Sequence, residues 1–208
     1  MLEGDALAAF LRARCGKLTA SRMATAMSFK KNGEPTAERS RLLRELLAER
    51  LTGDSVRHYV NDAMQFGLDY EDEAKAAYED ETGQLIMPCG FYDHPRIDML
   101  GATPDGLVGR DGLVETKVPQ SETFILWKLA GCIPQEHMPQ MAIQLACTGR
   151  AFCDFCAFDP RQRNPAHRLF IRRYEPPRSE IEVYEAHAER FLADLAAMWE
   201  QFTTSDAA

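Results

Sequence analysis

Between Gly101 and Gln120 the chain reads GATPDGLVGRDGLVETKVPQ, and this stretch sets charged side chains into what is otherwise the pattern of a buried strand. Leu113–Val118 is apolar enough to lie in a sheet, and side chains alternate along a strand. Glu115 and Lys117 therefore share one face, while Val114, Thr116 and Val118 share the other. A hairpin turn through Gly106–Gly112 returns Asp105, at the end of the preceding strand, to their side. Two carboxylates and one ammonium then converge on a common point.

Two acids held together are unfavourable unless positive charge lies between them. A hard divalent cation satisfies them, because Mg²⁺ takes oxygen ligands and keeps waters where the protein shell is incomplete. The lysine then has a role, orienting or deprotonating a water aimed at phosphorus. The competing reading is a buried ion pair that fixes the hairpin. Such pairs are costly to desolvate and gain nothing from a second acid.

Around this segment the chain reads as helices, then strands, then both. Gly4–Arg14 carries Leu7, Phe10 and Leu11 on one stripe. Lys17–Ser21 opens a second helix, with Thr19 or Ser21 available as its N-cap. Lys30–Pro35 is a polar loop. Ala37–Leu51 repeats Leu42, Leu43, Leu46, Leu47 and Leu51 at helical intervals, and Asn61–Thr82 is a further helix. Leu85–Tyr92, Met99–Thr103 and Leu113–Val118 read as a strand meander. Ser121–Ala130 and Gln135–Thr148 read as helices, Ala151–Phe158 and His167–Tyr174 as strands. An amphipathic helix follows over about 179–203. The order predicts one α/β domain over residues 1–208, with a sheet flanked by helices and a basic helical segment over about 1–60.

Of the 208 residues, 24 are Lys or Arg and 32 are Asp or Glu, giving a net charge of −8. That balance argues against polyanion binding by the whole surface, but it is unevenly spread. Leu11–Arg50 holds ten basic and four acidic residues, whereas Asn61–Gly83 holds eight acids and one lysine. Either the basic front meets a polyanion, or these are solvated helix faces. No apolar run is long enough to cross a bilayer, and the N-terminus is too short and too charged for a signal peptide. Six cysteines without a secretory signal are expected to be reduced thiols. Cys153 and Cys156 have C-x-x-C spacing on a strand, so they point to opposite faces and do not chelate. The histidines show no paired spacing.

Pro-Asp…Glu-x-Lys is also the signature of the PD-(D/E)XK nucleases. Six segments occur in one order at compatible intervals: Arg14-Cys-Gly-Lys-Leu-Thr-Ala-Ser21, Gly67-Leu-Asp-Tyr-Glu71, Thr103-Pro-Asp-Gly106, Glu115-Thr-Lys117, Met138-Pro-Gln140 and Phe158-Asp-Pro-Arg161. From about Leu11 to Arg161 the chain resembles the phage lambda-type exonuclease (viral recombinase, YqaJ-like) family. That resemblance implies a restriction-endonuclease-like central mixed β-sheet flanked by helices. It also implies a Mg²⁺-dependent 5′→3′ exonuclease on duplex DNA ends, with Mn²⁺ as a substitute.

Position by position, the resemblance assigns Asp105, Glu115 and the backbone carbonyl of Thr116 to the metal, and Lys117 to the attacking water. Glu71 completes the site, with a second metal as one way of doing so. Helical spacing independently puts Glu71 on a stripe with Met64, Leu68, Ala74 and Tyr78; a pair with Lys75 is its structural alternative. Gln140 matches a polar residue beside the reaction centre, and Arg14 the arginine that receives the 5′-phosphate. Thr19 and Ser21 match hydroxyls on the same approach, where a helix start offers N–H groups to phosphate. Met64 falls at the family's duplex-splitting wedge or is an ordinary core methionine. Asp93 and Asp98 are both candidates for a further acid. The resemblance also implies a ring-shaped homotrimer, a single-strand annealing protein as partner, and a phage or prophage gene acting in the bacterial cytoplasm. A related endonuclease and a non-catalytic DNA-end-binding scaffold are the rival readings. The iron–sulfur nucleases of the superfamily need a four-cysteine spacing that is missing here.

Overall fold

A computed structural model describes residues 4–55 and 61–205. His58, to which no role was assigned, lies outside them. In chain order the elements are α1 (Gly4–Arg14), β1 (Leu18–Thr19), a 3-10 turn (Ala20–Arg22), α2 (Met23–Ala26), α3 (Ala37–Thr52) and α4 (Asp62–Thr82). Short strands β2 (Ile86–Met87), β3 (Tyr92–Asp93), β4 (Leu100–Ala102) and β5 (Gly106–Val108) lead to β6 (Gly112–Lys117). Then come α5 (Ser121–Ala130), a 3-10 turn (Gln135–His137), α6 (Met138–Thr148), β7 (Phe152–Phe158), β8 (Leu169–Tyr174) and α7 (Arg178–Ser205).

The long helix α4 starts where Asn61 accepts a hydrogen bond from the Met64 N–H, and ends at Gly83, whose φ of 68° suits only a left-handed cap. The main sheet has the order β2-β5-β6-β7-β8. Its β6–β7 step is parallel, and the crossover that such a step requires is supplied by α5 and α6. These two helices cover one face, where Phe124, Met141 and Leu145 pack on Leu113 and Phe155. On the other face Tyr78 of α4 packs on Val108, Val114 and Cys156. The order β1-β4-β3 forms a second sheet, which shares a core with α2, α3, α6 and α7 through Met23, Leu46, Ile143 and Phe191. This is the mixed sheet flanked by helices that the sequence predicts, with a small second sheet beside it.

Three local expectations change. The expected strand Leu85–Tyr92 divides into β2 and β3, which belong to different sheets; the intervening Pro88 and Gly90 interrupt the ladder. The turn expected over Gly106–Gly112 is shorter, because Gly106–Val108 is itself a strand paired with β6. Thr19 ends β1, and no side-chain bond caps the three-residue turn after it, so neither Thr19 nor Ser21 acts as the expected helix cap.

Cys153 and Cys156 lie on opposite faces of β7, in separate clusters, and every described cysteine is free. Five of the ten basic residues of the front are in ion pairs. Arg39 is buried against Asp194 at 2.6 Å, Lys17 pairs with Asp93, Arg22 and Arg41 both reach Glu45, and Lys30 pairs with Glu34. No described helix is long and apolar enough to cross a membrane.

Candidate active site

The β5–β6 register pairs Gly106 with Val114, which brings Asp105, one residue earlier, alongside Glu115 and Thr116. Gly106 is required there, because a Cβ would lie 2.1 Å from Ile86 Cγ2. Asp105 Oδ2 accepts hydrogen bonds from the Thr116 N–H at 2.7 Å and the Thr116 Oγ1 at 2.9 Å. Both bonds fall on one oxygen and leave Oδ1 for a cation.

Glu115 has no exposed side-chain surface. Its Oε1 accepts from Lys117 Nζ and from Gln140 Nε2 at 2.6 Å, and its Oε2 from Gln144 Nε2 at 2.5 Å. Gln140 and Gln144 are one turn apart on α6, so a single helix face grips both oxygens. Gln144 is the functional residue that sequence reasoning missed. Its signal was available: a polar residue four positions after Gln140 on an apolar helix.

Burial, and then the Glu115 charge, raise the Asp105 pKa to about 6. For Lys117, burial opposes the charged form, but Glu115 and Asp105 outweigh it and raise the pKa. Lys117 is therefore an ammonium at neutral pH. A contrast lies on the sheet's other face. The buried Asp154 takes two bonds from Arg173 and one from Tyr78, and is fully matched as a structural ion pair should be.

Two clefts meet at this point. The smaller, about 420 Å³, is lined by Met64, Leu68, Glu71, Asp105, Thr116, Lys117 and Trp127, among others. The larger, about 970 Å³, shares Leu68, Glu71 and Asp105 and continues past Lys75, Phe91 and Thr103 to Phe10. Met64 is 49% exposed, which removes the core-methionine alternative. Glu71 lines both clefts and is bonded by Lys75 at 2.6 Å, the pair expected as its structural alternative.

Arg14 donates to Thr103 Oγ1 at 2.8 Å and lies over the Phe10 ring. Its pKa is lowered by burial and then by Arg22, although a guanidinium stays charged. Arg14 hydrogen-bonds a neutral hydroxyl and also feels the charge of Glu49; it stands beside Thr103 and Phe10 of the larger cleft without lining it. Thr19 is buried and Ser21 exposed, their hydroxyl oxygens 3.3 Å apart; neither lines the two clefts. Asp93 is held by Lys17 and Asp98 is exposed, and both lie outside the cleft linings.

The donor set fits a hard cation. The mutual repulsion of Asp105 and Glu115 calls for positive charge. Among the described residues Asp105 Oδ1 accepts no hydrogen bond, whereas both Glu115 oxygens are already bonded and would have to exchange a donor for the ion. Among the described residues, however, no three His, Cys, Asp or Glu side chains gather as a ready-made metal cage, so any ion here would keep water or substrate oxygens in its shell.

Residues 9–151 match the YqaJ-like viral recombinase domain. The structure superimposes on an alkaline exonuclease (LHK-Exo) from Laribacter hongkongensis with a TM-score of 0.87 and 38% identity, covering 96% of this chain and 98% of that one. The same relative in complex with dAMP gives 0.88 at 38% identity, with the same coverage of both chains. A phage-related exonuclease from Haemophilus somnus 129PT shares the fold at 16% identity (TM-score 0.61, 88% of this chain and 96% of that one). No curated protein sequence matches. The Pro-Asp…Glu-x-Lys hairpin, the helix-borne Glu71 and the match across most of its length establish that the chain belongs to the YqaJ-like viral recombinase family of lambda-type alkaline exonucleases.

Proposed function

We propose that the protein is a Mg²⁺-dependent exonuclease that digests one strand of linear duplex DNA 5′→3′, releasing 5′-mononucleotides and leaving a 3′ overhang for recombination. The observation that carries this reading is Asp105 at the junction of two clefts, with Lys117 lining the smaller and holding the buried Glu115 behind it, and with the larger leading to Thr103, the partner of Arg14.

Asp105, Glu115 and the Thr116 carbonyl would hold Mg²⁺, with Mn²⁺ able to replace it. When bound, the ion polarises the scissile phosphate and offsets charge building on phosphorus. Gln140 and Gln144 fix the Glu115 carboxylate so that it does not rotate during turnover. The Lys117 ammonium directs a water oxygen in line at phosphorus and stabilises the developing negative charge. The new P–O bond forms as the bond to the terminal nucleotide's 3′-oxygen breaks; the attacking water gives up its proton to solvent, and the leaving oxygen takes one from solvent. The shortened strand keeps a new 5′-phosphate, and the Arg14 guanidinium, bonded to the neutral Thr103 hydroxyl, would receive it. A cleft of about 970 Å³ is ample for a nucleotide, and the relative crystallised with dAMP supports that use. Met64 and Leu68 present apolar surface where a duplex end would part. The resemblance further points to a ring-shaped homotrimer and a single-strand annealing partner; the exposed Ile125, Leu126 and Leu129 of α5 offer apolar surface for such contacts.

The deciding assay gives 5′-phosphorylated linear duplex with Mg²⁺ or with chelator. Release of 5′-mononucleotides only with metal is the expected result, and cutting of closed circular DNA would instead mark an endonuclease. No metal-dependent digestion at all would favour a scaffold. A duplex bearing a 5′-hydroxyl should be digested about 10–100-fold more slowly, the loss of one charge-assisted contact. Equal rates on the two ends would refute the role of Arg14.

A further inference from the structure

Phe158-Asp-Pro-Arg161, the last of the six ordered segments, takes no part in the reaction above, yet Arg161 touches both sides of the smaller cleft from behind. That cleft lies between the first turns of α4, at Met64, Gly67 and Leu68, and the end of β6, from Lys117 to Pro119. Further along, α4 is packed on the sheet through Tyr78, while Met64 and Leu68 stand exposed. The Arg161 guanidinium carbon lies 4.5 Å from the centre of the Phe66 ring, between Met64 and Gly67 on α4, and Tyr70 backs that ring with centroids 4.6 Å apart. The same guanidinium donates to the Pro119 carbonyl through Nη2, to Gln120 Oε1 at 2.8 Å through Nη1 and to Asp159 Oδ1 at 2.7 Å through Nε. Asp159 has no exposed side-chain surface. Burial opposes its charge, but hydrogen bonds from Arg161, Gln162 and Ser121 outweigh it and lower the pKa. Neither Arg161 nor Phe66 lines either cleft.

We propose that Arg161 is a positioning residue for the DNA strand: a strut between Phe66 and the Pro119 carbonyl that sets how far the start of α4 stands from the end of β6, and so the width of the smaller cleft. The inference rests on the proposed passage of DNA through that cleft. A guanidinium suits the task because its flat face meets an aromatic ring while its edge meets several acceptors. The buried Asp159 fixes the foot of the strut through a charge-assisted bond that is costly to break. Without the ring contact the first turns of α4 are free to move away from Pro119, while Tyr78 holds the rest of the helix in place. Lys117 lies two residues before Pro119 but is held separately by Glu115. The strut therefore bears on the grip of the cleft on DNA, and only weakly on the ammonium at the reacting phosphorus.

Steady-state digestion of a 5′-phosphorylated duplex, with anisotropy of a duplex whose terminal linkages are phosphorothioates, tests this. Phe66→Ala and Arg161→Ala should each raise KM and the duplex Kd by about 10-fold, roughly what one or two lost contacts along the walls amount to. In both, kcat should stay within about twofold of wild type, the pattern of lost uniform binding. Phe66→Ala removes no charge, so its loss of affinity should be the same at low and high salt. Phe66→Tyr keeps the ring face and should match wild type. Arg161→Lys should resemble Arg161→Ala, because an ammonium cannot lie flat on a ring and bond three acceptors. The double variant should be no worse than Arg161→Ala alone, since both changes remove one strut. Wild-type behaviour of Phe66→Ala, additive losses in the double variant, or a lowered Tm and kcat at unchanged KM would mark a merely structural tie and overturn the inference, leaving the nuclease reading standing. A wild type that binds duplex without digesting it would overturn the nuclease reading instead, and the Kd values would still decide on the strut by the same criteria.

Discussion

Lys117→Ala is expected to lower the rate of Mg²⁺-dependent digestion by about 10²–10³-fold, the usual cost of removing one preorganised group that stabilises transition-state charge. In free energy this is roughly 3–4 kcal/mol of barrier. The loss should fall on kcat and leave DNA affinity nearly unchanged, because Lys117 acts on the reacting phosphorus rather than along the duplex. Glu115 keeps both amide donors, Gln140 and Gln144, so the carboxylate stays in place when the lysine is removed. What is lost is the ammonium that Glu115 and Asp105 hold charged. The metal-free variant should accordingly melt below the wild type, since two neighbouring carboxylates lose their counter-charge, and Mg²⁺ should recover part of the difference. Single-turnover digestion of a 5′-phosphorylated duplex, with anisotropy for binding, separates these effects. Full activity in the variant would remove the mechanism.

The regular parts of the fold were legible because their periodicity was long enough to read. The leucine ladder of α3 and the α4 span each bury one defined face, and the apolar run of β7 is buried on both, so pattern alone locates them. The two-residue strands β1, β2 and β3 were not legible. Two residues have no period, and their pairing is decided by the rest of the sheet. Leu18 and Thr19 pair with Leu100 and Gly101, about eighty positions away, a contact that no local pattern encodes. The split of Leu85–Tyr92 has the same origin, since an apolar run does not say which sheet each end joins.

At the site, alternation in β6 placed Glu115 and Lys117 together, as their hydrogen bond shows, but it did not show that Asp105 would be held by the Thr116 hydroxyl. The position of Glu71 followed from its helical stripe. Net charge informed less than its distribution, and the distribution less than the pairing. Half of the basic front, Lys17, Arg22, Lys30, Arg39 and Arg41, is paired with acids of the same chain, and Arg14 is known by its partner Thr103. Met64 shows the limit of stripe arguments. It shares a stripe with the buried Ala74 and Tyr78 but stands 49% exposed, because the first turns of α4 border an open cleft.

Asp105→Asn should stabilise the metal-free protein while abolishing its metal response. The Asp105 pKa of about 6 stands above the ordinary aspartate value, through burial and the Glu115 charge. The folded chain therefore holds that proton more tightly than the unfolded chain does. Stability from this group is fully present below about pH 4 and is lost as pH rises through 6. An amide cannot ionise and escapes the loss, yet its oxygen still accepts from the Thr116 N–H and Oγ1. At pH 8 without metal, the variant should exceed wild type by on the order of 2 kcal/mol, or roughly 4–8 °C in Tm for a chain of this size. Below about pH 4 the two melts should coincide. Mg²⁺ should reverse the ranking at pH 8, because a bound cation rewards the ionised Asp105 of the wild type and finds one anionic ligand fewer in the variant. Digestion should fall by at least about 10³-fold, since the charge that seats the ion is gone. Thermal melts across pH, with and without Mg²⁺, read every part of this. A variant less stable than wild type at pH 8 without metal would show Asp105 to be a structural acid like Asp154. A gain in stability that Mg²⁺ fails to erase would separate the strain of two neighbouring acids from any role in holding the ion.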